Sequence, residues 1–303
     1  MSGPLPKKGL GQNFLADKDI ARDIVRAIDP KPNEVILEIG PGRGTITGLL
    51  LEKGAQVYAI EIDERLLEPL SNKFAGNPLF HLIQGDFLKM PWESMVPEVP
   101  FRLVGNLPYH ITSGVIFRCL ETLREQRLDS FLHCNDSMNQ RSGTPLLFPP
   151  AIAGGRRRQL LSYILMVQKE VAARIIAKPS SRDFSILSVF CALEGTVEIL
   201  KLVEARAFYP RPKVDGAVIR FIPHQQCHHI IDFSILNKLV RGAFAGRRKM
   251  LRNSLKSVAG IHPFWQELDF DFTRRPETVS VEEWIRLSND ISQLRNHKQL
   301  VDH

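Results

Sequence analysis

The sequence has no apolar run long enough to cross a membrane. Its longest apolar stretch, near Leu160–Val167, is far shorter than the about 20 residues of a membrane-spanning helix. The region Met1–Phe14 carries Lys7 and Lys8 but lacks the apolar segment of a signal peptide. We therefore expect a protein with no membrane segment that resides in the cytoplasm.

Cysteine is also scarce. The four cysteines are scattered along the chain and include no Cys-x-x-Cys pair: Cys119, Cys134, Cys191 and Cys227. This spacing matches neither a zinc site nor a redox motif. We predict free thiols and no bound metal.

The chain carries an excess of positive charge, which does not identify a function by itself. The 303 residues are 44% hydrophobic, enough for one large α/β domain with a small appendage, and their net charge is +7. Residues 201–303 hold 17 lysines and arginines against 11 acidic residues, whereas residues 1–200 hold 23 against 22. The C-terminal excess suits a polyanionic partner, and a solvated helical surface is the alternative explanation.

Short apolar runs separated by longer segments characterise the first 223 residues. Four runs are typical of buried strands, and each is followed by enough chain for a helix or a crossover: Val35–Ile39, Val57–Ile60, Phe80–Ile83 and Phe101–Val104. We expect a further strand at Leu160–Val167, a helix at Lys169–Ala177 and an edge strand at Val214–Ile222 that closes the sheet. This order predicts an α/β fold with a Rossmann-like, doubly wound sheet.

Apolar residues at helical spacing occur near both ends of the chain. One run covers Ile20–Ile28, and another extends from Leu236 to Leu255 over about six turns. We expect one domain at residues 1–223 and a small helical domain at residues 224–303. Residues Gln126–Arg158 are rich in proline and glycine, which predicts an inserted loop.

A glycine-rich turn follows the first predicted strand. Gly40, Gly42 and Gly44 lie at the carboxyl end of that strand, where doubly wound sheets bind ligands. A dinucleotide fingerprint would place its third glycine at position 45, which is Thr45. The spacing favours a nucleoside cofactor without a pyrophosphate, held at Gly40 and Gly42. A turn that only reverses the chain is the alternative for this motif alone.

Two acidic residues extend this candidate site along the next strand ends. Glu61 ends the second strand about 20 residues later, where a carboxylate can accept both ribose hydroxyls. Asp86 follows the third strand and can bind the amino group of an adenine ring, with Phe87 packed nearby. Either acid alone is more often a helix N-cap, but three consecutive strand ends of this composition favour a cofactor site.

The fourth strand ends in the segment Gly105–Tyr109, which carries the most specific signal. An exocyclic adenine amine is a poor nucleophile and too weak an acid for a general base to deprotonate. The side-chain carbonyl of Asn106 and the backbone carbonyl of Leu107, held rigid by Pro108, can accept hydrogen bonds from that amine. They would direct its lone pair toward a methyl group, which is a form of electrostatic preorganisation.

Tyr109 and Phe208 are candidate walls for a target base. Stacking of a base on an aromatic ring contributes roughly 1–3 kcal/mol, and the base must first leave its own stack. Phe208 precedes a stiff loop of aromatic, basic and proline residues, Tyr209–Lys213. Core packing is an equally good interpretation of Phe208, and an ordinary turn is the alternative for Asn106 to Tyr109.

At these residues the sequence resembles the ribosomal RNA adenine N6,N6-dimethyltransferases, the family linked to kasugamycin sensitivity. The resemblance covers nearly the whole chain. The matching segments, in order, are Gly11–Leu15, Glu38–Gly44, Glu61 with Asp63, Gly85–Asp86, Asn106–Tyr109, Gln168–Val171, Pro212–Asp215, and Arg247–Lys249 with Leu251–Asn253. A series of this length in order is not a chance match.

The resemblance implies a class I S-adenosylmethionine methyltransferase fold and a substrate. S-adenosylmethionine would be held by Asn13, Leu15, Gly40, Glu61, Asp86 and Asn106, beneath the N-terminal arm. Members of the family dimethylate two adjacent adenosines in the 3′-terminal hairpin of 16S ribosomal RNA within the assembling 30S subunit. The basic residues Arg247, Arg248, Lys249 and Arg252 would contact RNA phosphates. We expect a monomer.

Two departures and two rival functions stay open. The chain reads Phe184–Ile186 where the family has a Tyr-Gly pair, and the segment 126–158 is longer than the usual connection. One rival is a methyltransferase of large-subunit RNA, although such relatives usually carry isoleucine at the position of Leu107 and lack the segment 247–253. The other is a non-catalytic RNA-binding assembly factor.

Overall fold

The computed structural model describes residues 4–137, 158–225, 228–246, 249–256, 258 and 266–301. Its strands are β1 Phe14–Leu15, β2 Val35–Ile39, β3 Gln56–Glu61, β4 Phe80–Gln84, β5 Pro100–Asn106, β6 Gln159–Gln168, β7 Gly195–Val203, β8 Phe208–Tyr209 and β9 Gly216–Pro223. Its helices are α1 Lys18–Ile28, α2 Thr45–Glu52, α3 Glu64–Lys73, α4 Thr112–Ser137, α5 Lys169–Ile175, α6 Ile186–Glu194, α7 Phe233–Ala245, α8 Leu251–Ser254 and α9 Val281–Val301.

A seven-stranded sheet forms the centre of the first part of the chain. Its strand order is β4-β3-β2-β5-β6-β9-β7. The strands from β4 to β6 are parallel, and β9 runs antiparallel to both of its neighbours. The chain order reverses between β2 and β5, and ligands bind at such a switch point in doubly wound sheets. The predicted fold class is confirmed.

The edge of the sheet differs from the prediction. The strand expected at Val214–Ile222 is β9, which lies between β6 and β7 and is buried along most of its length. The edge strand is β7, which the sequence analysis did not predict. Most of its residues are partly or fully exposed, and Glu198 and Lys201 interrupt its apolar pattern. The edge position of β9 was therefore a wrong prediction.

The predicted first helix is confirmed as α1. The Asp17 side chain caps it by accepting hydrogen bonds from the backbone amides of Asp19 and Ile20. Its apolar side chains recur every three to four residues and are buried against the sheet and α2: Ile20, Ala21, Ile24, Val25 and Ile28.

The expected loop at Gln126–Arg158 begins later than predicted. Helix α4 continues to Ser137, and the Gln126 side chain accepts a hydrogen bond from the backbone amide of Leu160 at 3.2 Å. Arg127 is also buried. A loop starting at Gln126 is therefore wrong, because these residues extend a packed helix. Residues 138–157 lie outside the described residues.

Arg158 is the only member of the basic run 156–158 that the structure describes. Its guanidinium donates a hydrogen bond to the Val96 carbonyl at 3.1 Å and pairs with Glu93 at 3.4 Å. This arginine is thus fixed to the chain just before β5.

The chain divides into two compact units. One comprises residues 1–172 and 195–225, and the other comprises residues 173–194 and 226–303. The second unit takes in residues 173–194, which the sequence analysis placed in the first domain. Its core includes Trp284, which is fully buried and lies 6.4 Å from Phe244 between ring centroids.

The helical run expected from Leu236 to Leu255 is interrupted. Helix α7 ends at Ala245 with Gly246 as its C-cap, and α8 begins only at Leu251. In the described part of the chain, no helix is long and apolar enough to cross a membrane. Cys119 and Cys191 are buried and form no disulfide, whereas Cys134 and Cys227 lie outside the described side chains.

Candidate cofactor and active site

A cavity opens at the carboxyl ends of β2, β3 and β5, within the first unit. The cofactor and catalytic residues predicted from the sequence all line it: Asn13, Leu15, Gly40, Gly42, Glu61, Asp86, Asn106, Leu107, Pro108, Tyr109 and Phe208. The topology brings them together because parallel strands end at one edge of the sheet.

The glycine turn after β2 leaves room for a ligand. Gly40 and Gly42 have φ angles of +65° and +59°, a region that favours glycine. A Cβ at Gly40 would meet no atom within 4 Å, so open space adjoins its backbone. A Cβ at Gly42 would lie 2.9 Å from the Phe14 ring. The turn can therefore approach a ligand on one side while it packs on the N-terminal arm.

Glu61 at the end of β3 is buried but keeps acceptor capacity. One carboxylate oxygen accepts from the backbone amide of Asp63 at 2.9 Å, and the other accepts from that of Gly42 at 3.3 Å. Burial raises the pKa of Glu61, and the two backbone hydrogen bonds oppose that rise. A carboxylate offers about four acceptor sites, so two hydroxyl groups of a ribose fit this side chain.

Asp63 fastens the N-terminal arm beside Glu61. Its carboxylate accepts from Gln12 Nε2 at 2.8 Å and from two nitrogens of Arg65 at 2.9 and 2.6 Å. Hydrogen bonding to Arg65 is the main cause that lowers the pKa of Asp63 to about 2. In the sequence, Asp63 stood out only as part of the resemblance, and its bond to Gln12 was not predicted.

Asp86 lies at the beginning of the short loop that follows β4. Its carboxylate accepts from the backbone amide of Leu88 at 3.0 Å and is partly exposed, 3.6 Å from Lys89 Nζ. The guanidinium of Arg118, on α4, donates to the carbonyls of Phe87 and Met90 and lies 4.8 Å from the Phe87 ring centroid. Nothing in the sequence indicated that Arg118 holds this loop.

Asn106 is oriented by the N-terminal arm. Its amide nitrogen donates to the Asn13 backbone carbonyl at 2.9 Å, while the Asn13 side chain binds the Gly11 carbonyl at 3.1 Å. The Leu107 amide donates to the Met166 carbonyl at 3.3 Å. Among the described contacts, no donor engages Asn106 Oδ1 or the Leu107 carbonyl, so both acceptors are available at the cavity wall.

The two candidate aromatic walls differ in burial. Tyr109 is half-buried, and its hydroxyl lies 3.5 Å from the Val214 carbonyl. Burial is the main cause that raises the pKa of Tyr109. Phe208 pairs with Leu15 in the short antiparallel β1–β8 sheet and is only 6% exposed. Its ring packs in the hydrophobic core and also lines the cavity, so the two interpretations of Phe208 are compatible.

The structure adds Glu38 to the cavity lining. This residue of β2 is 2% exposed and accepts a 2.6 Å hydrogen bond from the Thr47 hydroxyl. Burial is the largest cause that raises the pKa of Glu38 to about 7. An acidic residue inside an otherwise apolar strand was the available signal, and the sequence analysis used it only as part of a matching segment.

The predicted RNA-binding segment belongs to the second unit and is described only in part. Arg247 and Arg248 lie outside the described residues, whereas Lys249 and Arg252 are exposed around the start of α8. Within the described ranges, no group of three or more His, Cys, Asp and Glu side chains could hold a metal ion.

The model of the family described as ribosomal RNA adenine dimethylase matches residues 5–293. The chain belongs to this family. It is 37% identical to ribosomal RNA small subunit methyltransferase A of Chromobacterium violaceum over 292 residues, or 96% of this chain and 97% of that one. It is also 37% identical to the protein of the same name from Dichelobacter nodosus, over 93% of this chain and 94% of that one.

Two solved structures share the fold. A dimethyladenosine transferase from Plasmodium falciparum has a TM-score of 0.65 at 22% identity, covering 92% of this chain and 98% of the other. The 23S rRNA methyltransferase ErmE has a TM-score of 0.60 at 24% identity, covering 92% and 100%. Family membership confirms the predictions of an enzyme and of S-adenosylmethionine as its methyl donor.

Proposed function

We propose that this protein transfers methyl groups from S-adenosylmethionine to the N6 amines of two adjacent adenosines in the 3′-terminal hairpin of 16S ribosomal RNA. The observation that carries this proposal is the cavity in which the acceptors of Asn106 and Leu107 adjoin Glu61 and Asp86. The names of the relatives, which specify the small subunit, support the same substrate.

The cavity residues fit the cofactor by their chemistry. When bound, S-adenosylmethionine supplies an electrophilic methyl group on a sulfonium. Glu61 would accept the ribose hydroxyls and Asp86 the adenine amino group, while the open space beside Gly40 would admit the rest of the molecule. Asn13, Leu15 and Gly42 complete this proposed binding set, and the acidic side chains suit a ligand with a positive centre.

Asn106 and Leu107 would activate the target amine. Their carbonyl oxygens would each accept one N–H of the adenine amine, which directs the nitrogen lone pair away from them and toward the methyl carbon. As the new N–C bond forms, the bond from that carbon to the sulfonium would break and leave a neutral thioether, and the methylated amine would lose one proton to solvent. Pro108 fixes the backbone that presents the Leu107 carbonyl. Because the Asn106 amide nitrogen is committed to Asn13, its oxygen is held in place before the base arrives.

Tyr109 and Phe208 would hold the adenine ring that leaves its stack. A half-buried and a buried aromatic ring line the same cavity, so a flipped base can contact both. Arg247, Arg248, Lys249 and Arg252 would bind phosphates and contribute affinity rather than sequence choice. In this proposal residues 1–223 carry the methyl transfer and residues 224–303 bind RNA.

The setting of the reaction is part of the proposal. The protein would act as a monomer without metal, in the cytoplasm, on the assembling 30S subunit. Loss of Glu61, Asp86 or Asn106 would have favoured a non-catalytic assembly factor. All three residues are present and line one cavity.

Methylation assays with radiolabelled S-adenosylmethionine on small and large ribosomal subunits that lack the methylation test the substrate, with the purified RNAs assayed in parallel. We expect label in the small-subunit RNA, recovered by mass spectrometry as N6,N6-dimethyladenosine. Label found only in large-subunit RNA would favour the rival methyltransferase. Binding of the small subunits without any methyl transfer to them would favour the assembly factor.

A further inference from the structure

The loop Tyr209–Lys213 forms an exposed aromatic and basic patch at the edge of the cavity. Tyr209 is 50% exposed, although it directly follows the buried Phe208 in strand β8. Phe208 is buried and lines the cavity, whereas Tyr209 lies outside the cavity lining, beside Arg43, which does line it. Because half of its surface is exposed, the Tyr209 side chain contributes little to packing of the core.

The position of this patch is fixed at both ends. Tyr209 pairs with Phe14 in the β1–β8 sheet, and the Tyr109 hydroxyl lies 3.5 Å from the carbonyl of Val214, just beyond the loop. Phe208 and Gly216, on either side of the loop, both line the cavity. The loop therefore borders the entrance through which a target base would pass.

One cation lies beside the exposed ring, and two more follow it in the loop. The guanidinium of Arg43, itself at the cavity, lies 5.9 Å from the Tyr209 ring centroid and 5.1 Å from that of Phe14. Arg211 and Lys213 are exposed, and the contacts described for this part of the chain include no ion pair for either. An aromatic face flanked by cations is the arrangement that binds single-stranded nucleic acid.

We propose that Tyr209 stacks on the nucleobase next to the target adenosine, while Arg43, Arg211 and Lys213 bind the phosphates that flank it. This inference rests on the proposed function, because it takes the cavity as the place of the flipped adenine. The neighbouring nucleotide is joined to the target by a single phosphate. When the target base enters the cavity, this neighbour therefore lies at the cavity entrance. The patch would thus recognise a splayed RNA strand, not a duplex.

A series of substitutions at Tyr209 tests this role on small ribosomal subunits that lack the methylation. We expect Tyr209→Leu to raise the KM for these particles by about tenfold, because leucine removes the aromatic face on which a base would stack. Tyr209→Phe and Tyr209→Trp should keep the KM within about twofold. The kcat and the KM for S-adenosylmethionine should change little in all three variants.

Two measurements separate stacking from a structural role. Thermal unfolding and cofactor affinity of Tyr209→Leu should match those of the wild type, and Arg211→Gln should weaken RNA binding mainly at low salt. An unchanged particle KM in Tyr209→Leu, or equal impairment in Tyr209→Phe, would overturn the inference.

The proposed function can fail independently of this inference. If the wild type transfers no methyl group to the particles, the proposed function is wrong. The affinities of the same variants for the 3′-terminal hairpin RNA, measured without cofactor, then decide whether Tyr209 stacks on a base. Equal affinities of Tyr209→Leu and wild type would refute the stacking.

Discussion

Asn106 is the residue on which the proposed chemistry depends most. Its amide nitrogen is fixed by the Asn13 carbonyl, so its oxygen is positioned before substrate binds. We expect Asn106→Ala to lower kcat by about 10²–10³, the usual cost of losing one preorganised hydrogen-bonding group. The dissociation constant for RNA should change far less. Single-turnover kinetics and equilibrium binding measure the two effects.

The matched control for Asn106 is Asn72→Ala. Asn72 is an exposed asparagine of α3 and should tolerate the change without loss of turnover. An unchanged rate in Asn106→Ala would refute the role given to its side chain.

Glu38 makes the stability of the fold depend on pH. The pKa of Glu38 is about 7 in the folded protein, whereas its ordinary value is 4.5. Between these two pH values the folded state keeps the proton on Glu38, and the unfolded state has already released it. The free energy of unfolding therefore falls as pH rises from about 4.5 to about 7, by about 3 kcal/mol. Below pH 4.5 this contribution to stability is fully present.

We predict that Glu38→Gln removes this pH dependence. The stability of the variant relative to wild type should improve as pH rises through that window and level off above pH 7. Urea unfolding between pH 4 and pH 8 measures it, with the exposed Glu52→Gln on α2 as control. Parallel stability curves for Glu38→Gln and wild type would show that Glu38 titrates normally.

At the scale of elements, α4 connects the two halves of the candidate site. It begins at Thr112, just after the segment Asn106–Tyr109, and the Thr112 hydroxyl lies 3.3 Å from the Pro108 carbonyl. About two turns later Arg118 binds the carbonyls of Phe87 and Met90 in the loop of Asp86. One rigid helix thus sets the distance between the proposed amine site and the proposed adenine site.

We expect Arg118→Met to weaken S-adenosylmethionine binding by about tenfold. Methionine cannot donate to the two carbonyls, so the loop loses hydrogen bonds to a charged group, each worth about 1.5–3 kcal/mol. Isothermal titration measures the affinity. Trp92, which lies 5.1 Å from the guanidinium, should report the change in its fluorescence.

Glu125→Gln is the control for Arg118, because Glu125 is exposed on the same helix. An Arg118→Met protein that binds the cofactor as tightly as wild type would show that the loop is held without this arginine.

The sequence predicted the elements that carry a strong local pattern and missed those set by tertiary position. The runs at Val35–Ile39 and Phe80–Ile83 are mostly apolar and form strands in the parallel part of the sheet, and the residues that follow them identified the site. Strand β7 was missed because an exposed edge strand keeps charged residues such as Glu198 and Lys201. Contacts between distant segments, such as Arg118 with Phe87, leave no trace in local spacing.

At the scale of the whole molecule, the charge excess of residues 201–303 should make the proposed RNA binding sensitive to salt. Each phosphate contact releases counterions, so affinity falls as salt rises. We expect the double variant Lys249→Gln, Arg252→Gln to reduce the slope of log affinity against log salt by about 2. Filter binding from low to high salt measures the slope.

Lys53→Gln is the control for this experiment. Lys53 is exposed at the end of α2, before β3 begins and so at the edge of the sheet opposite the cavity. A slope that falls equally in both variants would remove the basis for an RNA-binding role of Lys249 and Arg252.

The division of the chain also sets an order of events during synthesis. Residues 173–194, which carry the largely buried α6, leave the ribosome before β9, the strand that joins β6 to β7. The helices that α6 packs against, α7 and α9, are translated later still. Because domains fold as they emerge, α6 must wait with its apolar side chains uncovered while the first unit closes. We therefore expect the apolar side chains of α6 to stay uncovered in the nascent chain until α7 and α9 have been translated.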